Sequence, residues 1–241
     1  MKTRFFFYFC FMQLFYTNNS ESEFTLPSEE SKHITKVLRK KEGDTLHFTD
    51  GKGQLLITEI TSTDIRKTRV KIIKKIEQEK QHNYYLHVAI APTKNMDRFE
   101  WFLEKACEIG IDEITPIICD HSERKFVKKE RGNRILLSAM KQSLKYHLPK
   151  LNEAISLNNF MKQDFIGNKY IAHCENSEKI ELKNKETEKR TLILIGPEGD
   201  FSVSEIEKSI EKNYLAISLG NSRLRTETAG LVCVTTISNR N

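Results

Sequence analysis

The pattern of apolar and polar positions changes character once along this chain, near Tyr84. Between Leu46 and Ile76 it is short, alternating and β-branched, as expected of strands with one buried face. Leu46-His47-Phe48 runs into Asp50-Gly51-Lys52-Gly53, a hairpin turn signal. Leu55-Leu56-Ile57 and Val70-Lys71-Ile72-Ile73 read as further strands, and Met12-Gln13-Leu14-Phe15-Tyr16 as an opening one. Pro27-Ser28-Glu29-Glu30-Ser31 reads as a helix start with Ser28 as its cap, the body running over residues 31–38. Residues 12–80 are therefore expected to form a small β-barrel domain, ending in the polar stretch Glu77 to Asn83.

From Tyr84 onward, strand and helix alternate. Tyr85 to Ile90 is a buried-type strand. Met96 to Ile109 carries Phe99, Phe102, Leu103 and Ala106 at helical spacing, and Gly110 closes it. Ile114 to Ile118 reads as a strand, Asn133 to His147 as a basic helix, and Lys169 to Ala172 as a strand. The rest reads as Thr191–Ile195 strand, Ser202–Lys212 helix, Tyr214–Leu219 strand and Thr226–Ile237 helix. Such alternation predicts an α/β domain over residues 81–241, with a parallel sheet covered by helices.

Two turns in this second domain carry candidate chemistry. In Ile195-Gly196-Pro197-Glu198-Gly199-Asp200-Phe201-Ser202 a buried strand enters a glycine-rich turn and a helix follows at once, with Ser202 and Glu205 spaced as a capping box. Leu219-Gly220-Asn221-Ser222-Arg223-Leu224-Arg225-Thr226-Glu227-Thr228-Ala229 repeats the arrangement after the next strand. Ligands of open parallel sheets bind outside the carboxyl ends of the strands, and glycines there allow close approach to the backbone. The two loops are expected to lie on neighbouring strands and to converge on one crevice. No G-x-G-x-x-G or G-x-x-x-x-G-K-[ST] phosphate motif is present, so the crevice suits a nucleoside-like ligand better than a triphosphate.

Composition adds a partner. Hydrophobic residues make up 38% and charged residues 30% of the 241, enough for a real core under a strongly solvated surface. The net charge is +6, and the window His121–Lys150 alone holds nine Lys/Arg against two acids. A second basic run spans Arg66 to Lys75. Two basic surfaces point to a polyanionic partner. The five cysteines, Cys10, Cys107, Cys119, Cys174 and Cys233, are scattered and odd in number with no C-x-x-C pair. That argues against a disulfide framework and a metal site, and for a reducing, cytoplasmic compartment. The aromatic stretch Phe5 to Phe11 follows Lys2 and Arg4 but is too short to span a membrane. No small-residue cleavage site follows it. Residues 1–11 are read as a non-native extension, with translation starting at Met12.

The pair IGPEG (195–199) and LRTETA (224–229), separated by one helix and one strand, resembles the signature of the 16S rRNA uridine N3-methyltransferases of the SPOUT superfamily. KVLRKKEGD (36–44), FTDGKG (48–53), KNMDRFEWFLEKACEIGIDEITPI (94–117) and KQSLKYHLP (141–149) match the same family in order. The resemblance implies a PUA-like RNA-binding domain followed by a methyltransferase domain with a C-terminal trefoil knot. It also implies a homodimer that binds S-adenosylmethionine and acts on the small ribosomal subunit. Ile195, Gly196, Pro197, Glu198, Gly199, Leu219, Gly220, Leu224, Arg225, Thr226, Glu227, Thr228 and Ala229 would form the cofactor pocket. The chain departs from the family at Asp200, where a second glycine is usual, at Lys141–Lys145, where relatives carry E-Q-x-x-R, and at Asn221–Arg225, where they carry P-R-I-L-R.

For the chemistry, Arg225 first and Arg223 second are candidates to stabilise the anion that forms when uridine N3 loses its proton. An ion pair with Glu227 or Glu198 is the competing role for Arg225. For RNA, Lys36, Arg39, Lys40 and Lys41 on the first domain and Arg124, Lys125, Lys128, Lys129 and Lys145 on the second are the candidate phosphate contacts. A non-catalytic RNA-binding protein with a decayed cofactor site, and a SPOUT enzyme acting on tRNA, remain open beside this reading.

Overall fold

The computed structural model describes residues 12–19, 21–184 and 189–240; the expected N-terminal extension lies outside them. Contacts divide the chain into two units, one running to Lys80 together with Met140–Leu148, the other comprising Gln81–Ala139 and from Pro149 onward.

The first unit holds β1 (Leu14–Tyr16), β2 (Glu23–Thr25), α1 (Ser28–Lys32), β3 (Thr45–Thr49), β4 (Gln54–Ser62) and β5 (Arg69–Glu77). They form a five-stranded sheet ordered β1-β3-β4-β5-β2, with β1 parallel to β3 and the other pairs antiparallel. Register shifts at Ile57/Thr58 and Ile60/Ser62 bend the long β4–β5 ribbon. Phe48 is fully buried, with its ring 5.3 Å from Phe15 and 5.6 Å from Phe24. The expected hairpin turn forms at Asp50, whose Oδ1 accepts from the amides of Lys52 and Gln54 at 2.8 and 3.0 Å.

The helix differs from expectation. Pro27 is the N-cap, and Ser28 makes no capping bond. Proline sets its φ for helix entry without a side-chain acceptor. The structural serine is Ser31, fully buried, whose hydroxyl donates to Leu26 O and accepts from Thr68 N at 3.0 Å. Beyond Lys32 the chain widens to a π-helical turn, His33–Val37.

The second unit holds β6 (Tyr85–Ile90), α2 (Met96–Ile109), β7 (Glu113–Ile118), most of α3 (Lys129–Gln142), β8 (Lys150–Leu151), β9 (Ile155–Ser156) and α4 (Leu157–Phe160). There follow β10 (Asn168–Ala172), β11 (Ile180–Glu181), β12 (Arg190–Ile195), α5 (Val203–Glu211), β13 (Leu215–Ser218) and α6 (Thr226–Arg240). The sheet runs β11-β13-β10-β12-β6-β7-β8, all parallel, with β9 added beside β7. The α2 boundaries follow from Asn95, whose side chain accepts from Asp97 N, and from Gly110 at φ +137°. The capping box of α5 is complete between Ser202 and Glu205.

The basic helix expected over residues 133–147 runs instead over Lys129–Gln142. Leu144 takes φ +53° and Lys145 N turns back to Met140 O at 3.0 Å, which ends the helix. Residues 140–148 then join the first unit. Tyr146 packs with Leu14 and Leu55, and its carbonyl accepts from Gly53 N at 2.9 Å. Burial of one aromatic ring outweighs about one and a half more turns of basic helix.

Candidate active site

The glycine-rich turn after β12 is shaped by packing. A Cβ on Gly196 would sit 3.0 Å from the Phe201 ring. Asp200 N closes the turn on Pro197 O at 3.0 Å, and Asp200 itself stands at φ +62°. Its carboxylate accepts from Cys174 N at 2.6 Å and Phe201 N at 2.9 Å. Glu198 accepts from Lys94 N at 2.9 Å, and His121 Nδ1 donates to the carbonyls of Gly199 and Asp200. The turn after β13 carries Gly220 at φ +114° with open space around it. Thr226, the first residue of α6, donates to Gly196 O at 3.0 Å and so ties the two turns together.

The two turns do not lie on neighbouring strands, because β10 separates β12 from β13. The crevice is therefore a three-loop structure, and its third wall is the segment after β10. A cavity of about 580 Å³ is lined by Ala172, His173, Cys174, Glu175, Asn176 and Lys179 from that segment. Asp200, Ile217 and Ser218, the run Leu219 to Leu224, and Ala229 complete it. Of the expected pocket residues, Leu219, Gly220, Leu224 and Ala229 line the cavity. Ile195, Gly196, Pro197, Glu198, Gly199, Arg225, Thr226, Glu227 and Thr228 do not. Several of these hold the loops instead, as Thr226 and Glu198 do. Arg223 lines the cavity, and Arg225 stands two residues beyond it; both are exposed. Neither makes an ion pair among the described residues. Glu227 is buried and 3.8 Å from Arg98, with its Oε2 unpartnered.

Sequence reasoning missed His173. It is 8% exposed, lines the cavity, and neither ring nitrogen has a hydrogen-bond partner. Burial holds its pKa below the ordinary imidazole range, with Lys179 adding to the effect and Asp200 and Glu175 opposing it. A buried polar group without a partner is costly, unless something bound in the cavity completes it. No glycine or motif marks the position; the only signal was its place directly after a strand. A neutral imidazole, an open backbone at Gly220 and a cavity of this size fit a nucleoside-bearing ligand.

In the first unit, Lys36, Arg39 and Lys41 are exposed, Lys40 is partly buried, and so is Lys145. In the second unit Arg124 donates to Lys94 O at 3.0 Å and Lys129 pairs with Glu153 at 3.0 Å. Lys125 and Lys128 are exposed without an acidic partner among the described residues. No group of three His, Cys, Asp or Glu among the described residues is placed to hold a metal, and no described helix is long and apolar enough to cross a membrane. Cys107, Cys119 and Cys233 are buried thiols, and Cys174 is exposed.

A small mixed sheet followed by a parallel α/β domain is the order of parts expected of an RNA methyltransferase with a PUA domain. Residues 58–238 match the RNA methyltransferase domain family, and residues 26–73 match the RNA methyltransferase PUA domain family. The chain is 31% identical to ribosomal RNA small subunit methyltransferase E 2 of Borreliella burgdorferi, over 82% of this chain and 83% of that one. A crystal structure of a probable rRNA-methyltransferase from Porphyromonas gingivalis superposes with a TM-score of 0.90 at 39% identity, covering 95% and 98% of the two chains. A methyltransferase structure from Legionella pneumophila, solved with bound S-adenosylmethionine, superposes at 0.81 with 25% identity over 95% and 97%. The chain belongs to the ribosomal RNA small subunit methyltransferase E family, within the SPOUT superfamily.

Proposed function

We propose that this protein transfers a methyl group from S-adenosylmethionine to N3 of a uridine in 16S ribosomal RNA, acting as a homodimer on assembled small subunits in the cytoplasm. The observation that carries this reading is the three-loop cavity with the unpartnered imidazole of His173 at its wall, in a chain of this family.

Bound S-adenosylmethionine supplies an electrophilic methyl group on a sulfonium. His173, Leu219, Gly220, Leu224 and Ala229 would hold it. What remains for the protein is alignment, which can supply much of the rate for two correctly placed reactants. Uridine N3 carries a proton near neutral pH, and its loss leaves negative charge on the O2/O4 edge. Arg223, at the cavity, and Arg225 beside it are exposed cations free to stabilise that charge. The methyl–sulfur bond breaks as the methyl–nitrogen bond forms. The N3 proton passes to solvent and S-adenosylhomocysteine leaves. Lys36, Arg39, Lys40 and Lys41, and separately Lys125 and Lys128, would contact phosphates.

The test is incubation with labelled S-adenosylmethionine and small subunits lacking this methyl group, followed by nucleoside analysis. Labelled 3-methyluridine is expected. Label in tRNA alone would move the activity to another RNA. Absence of both label and cofactor binding would leave an RNA-binding protein with a lost site.

A further inference from the structure

We propose that Phe126, with the cations around it, is a stacking platform that grips an unpaired base of the RNA next to the methylated one; the inference rests on RNA being the substrate. Phe126 lies between β7 and α3 and is 66% exposed, whereas Val127 beside it is 7% exposed and anchors the segment. A single exposed apolar side chain needs no explanation. This one lines a cavity of about 240 Å³ together with the apolar Met96, Phe99 and Leu103, the cations Arg124, Lys128 and Arg131, and the acids Asp97 and Glu100.

The segment is fastened to the candidate active site. His121 donates to Gly199 O, Ser202 Oγ donates to Asp120 Oδ2 at 2.7 Å, and Arg124 donates to Lys94 O, whose own amide is held by Glu198. Phe126 is thus presented on a loop braced against the turn after β12, not on a free arm. Lys125 and Lys128 flank it without acidic partners among the described residues. An aromatic face between unpaired cations is the arrangement by which proteins hold single-stranded nucleic acid: bases stack on the ring and phosphates meet the ammonium groups. Glu100 is paired with Arg131 and Glu123 with Lys94. Arg124, Lys125 and Lys128 therefore face Asp97 as the one cavity-lining acid without an ion pair among the described residues, and this surplus of positive charge favours a polyanion as occupant.

The experiment measures binding of a short single-stranded oligouridine to the full chain without cofactor. Phe126→Ala is expected to weaken binding about tenfold, since stacking on an aromatic ring contributes roughly 1–3 kcal/mol per base and 1.4 kcal/mol is a factor of ten. Phe126→Trp should restore it. The salt dependence should be unchanged in Phe126→Ala and should fall by about one in log–log slope for each of Lys125→Ala and Lys128→Ala. Equal affinity of Phe126→Ala and the parent would overturn the platform, and so would a change in sedimentation behaviour of Phe126→Ala, which would assign the face to a second copy. A parent that binds oligouridine but forms no 3-methyluridine would retire the proposed reaction and leave the platform standing. A methylating parent with no loss in Phe126→Ala would retire the platform alone.

Discussion

Asp200 holds the main-chain amide of Cys174 at 2.6 Å while standing in the left-handed region, at φ +62°. Where relatives are expected to carry glycine, this chain uses a residue that tolerates the same backbone conformation and adds an acceptor between the turn after β12 and the segment after β10. Asp200→Ala should lose about 2–3 kcal/mol of stability, combining a left-handed backbone cost of up to about 1–2 kcal/mol with about 1 kcal/mol for the lost hydrogen bond from Cys174 N. Asp200→Asn should lose least, and Asp200→Gly should fall between. Urea denaturation of the three variants checks the order; an alanine variant as stable as the parent would remove the role.

His173 is a wall of the cavity without an internal partner. Replacing it with phenylalanine should leave the unliganded protein as stable or more so, because no bond is broken and a buried polar group disappears. The same variant should bind S-adenosylmethionine about tenfold more weakly. Calorimetric titration with a parallel melting curve separates this from general damage, which would lower both together.

Acid should destabilise the second unit through His87. Its Nε2 lies 2.7 Å from Thr115 Oγ1, and burial lowers its pKa to about 4, with Glu113 opposing and Lys150 adding. The unfolded chain takes up this proton near pH 6.5 and the folded one only near 4. The contribution is therefore complete above about 6.5 and is lost as pH falls toward 4. Burial alone would raise Glu113, but hydrogen bonds from Asn152, Tyr85 and Lys150 outweigh it and bring it to about 2, extending the loss below pH 4.5. Melting temperatures of His87→Gln between pH 7 and 4 should show a flatter profile than the parent.

Gly230 lies where α6 meets α2. A Cβ there would come within 2.8 Å of the Phe102 ring and 2.9 Å of Ile90 Cδ1, both fully buried. Gly230→Ala should therefore destabilise by about 1–3 kcal/mol as overpacking, although alanine is the better helix former. Stability equal to the parent in chemical denaturation would show that the helix simply moves aside.

Arg223 and Arg225 differ in position, and the cavity favours Arg223. Arg223→Ala should cut methyl transfer at least tenfold with cofactor affinity nearly unchanged. Arg225→Ala should do less. The reverse order in single-turnover assays would return the role to Arg225.

The strands from Tyr85 to Ile90 and from Arg190 to Ile195, the helix Met96–Ile109 and the capping box at Ser202 were legible in the sequence because each depends on local periodicity and end chemistry. The two glycine turns were legible for the same reason. Tertiary structure alone decided that β10 separates the strands bearing them, and so brought His173 and Asp200 to one cavity. Strand order depends on how whole helices and strands pack, and no window of residues encodes it. The end of α3 was also settled at a distance. The chain leaves the helix after Gln142 because Tyr146 is buried against Leu14 and Leu55, residues far from it in sequence, and long-range burial of that kind overrides local helix propensity.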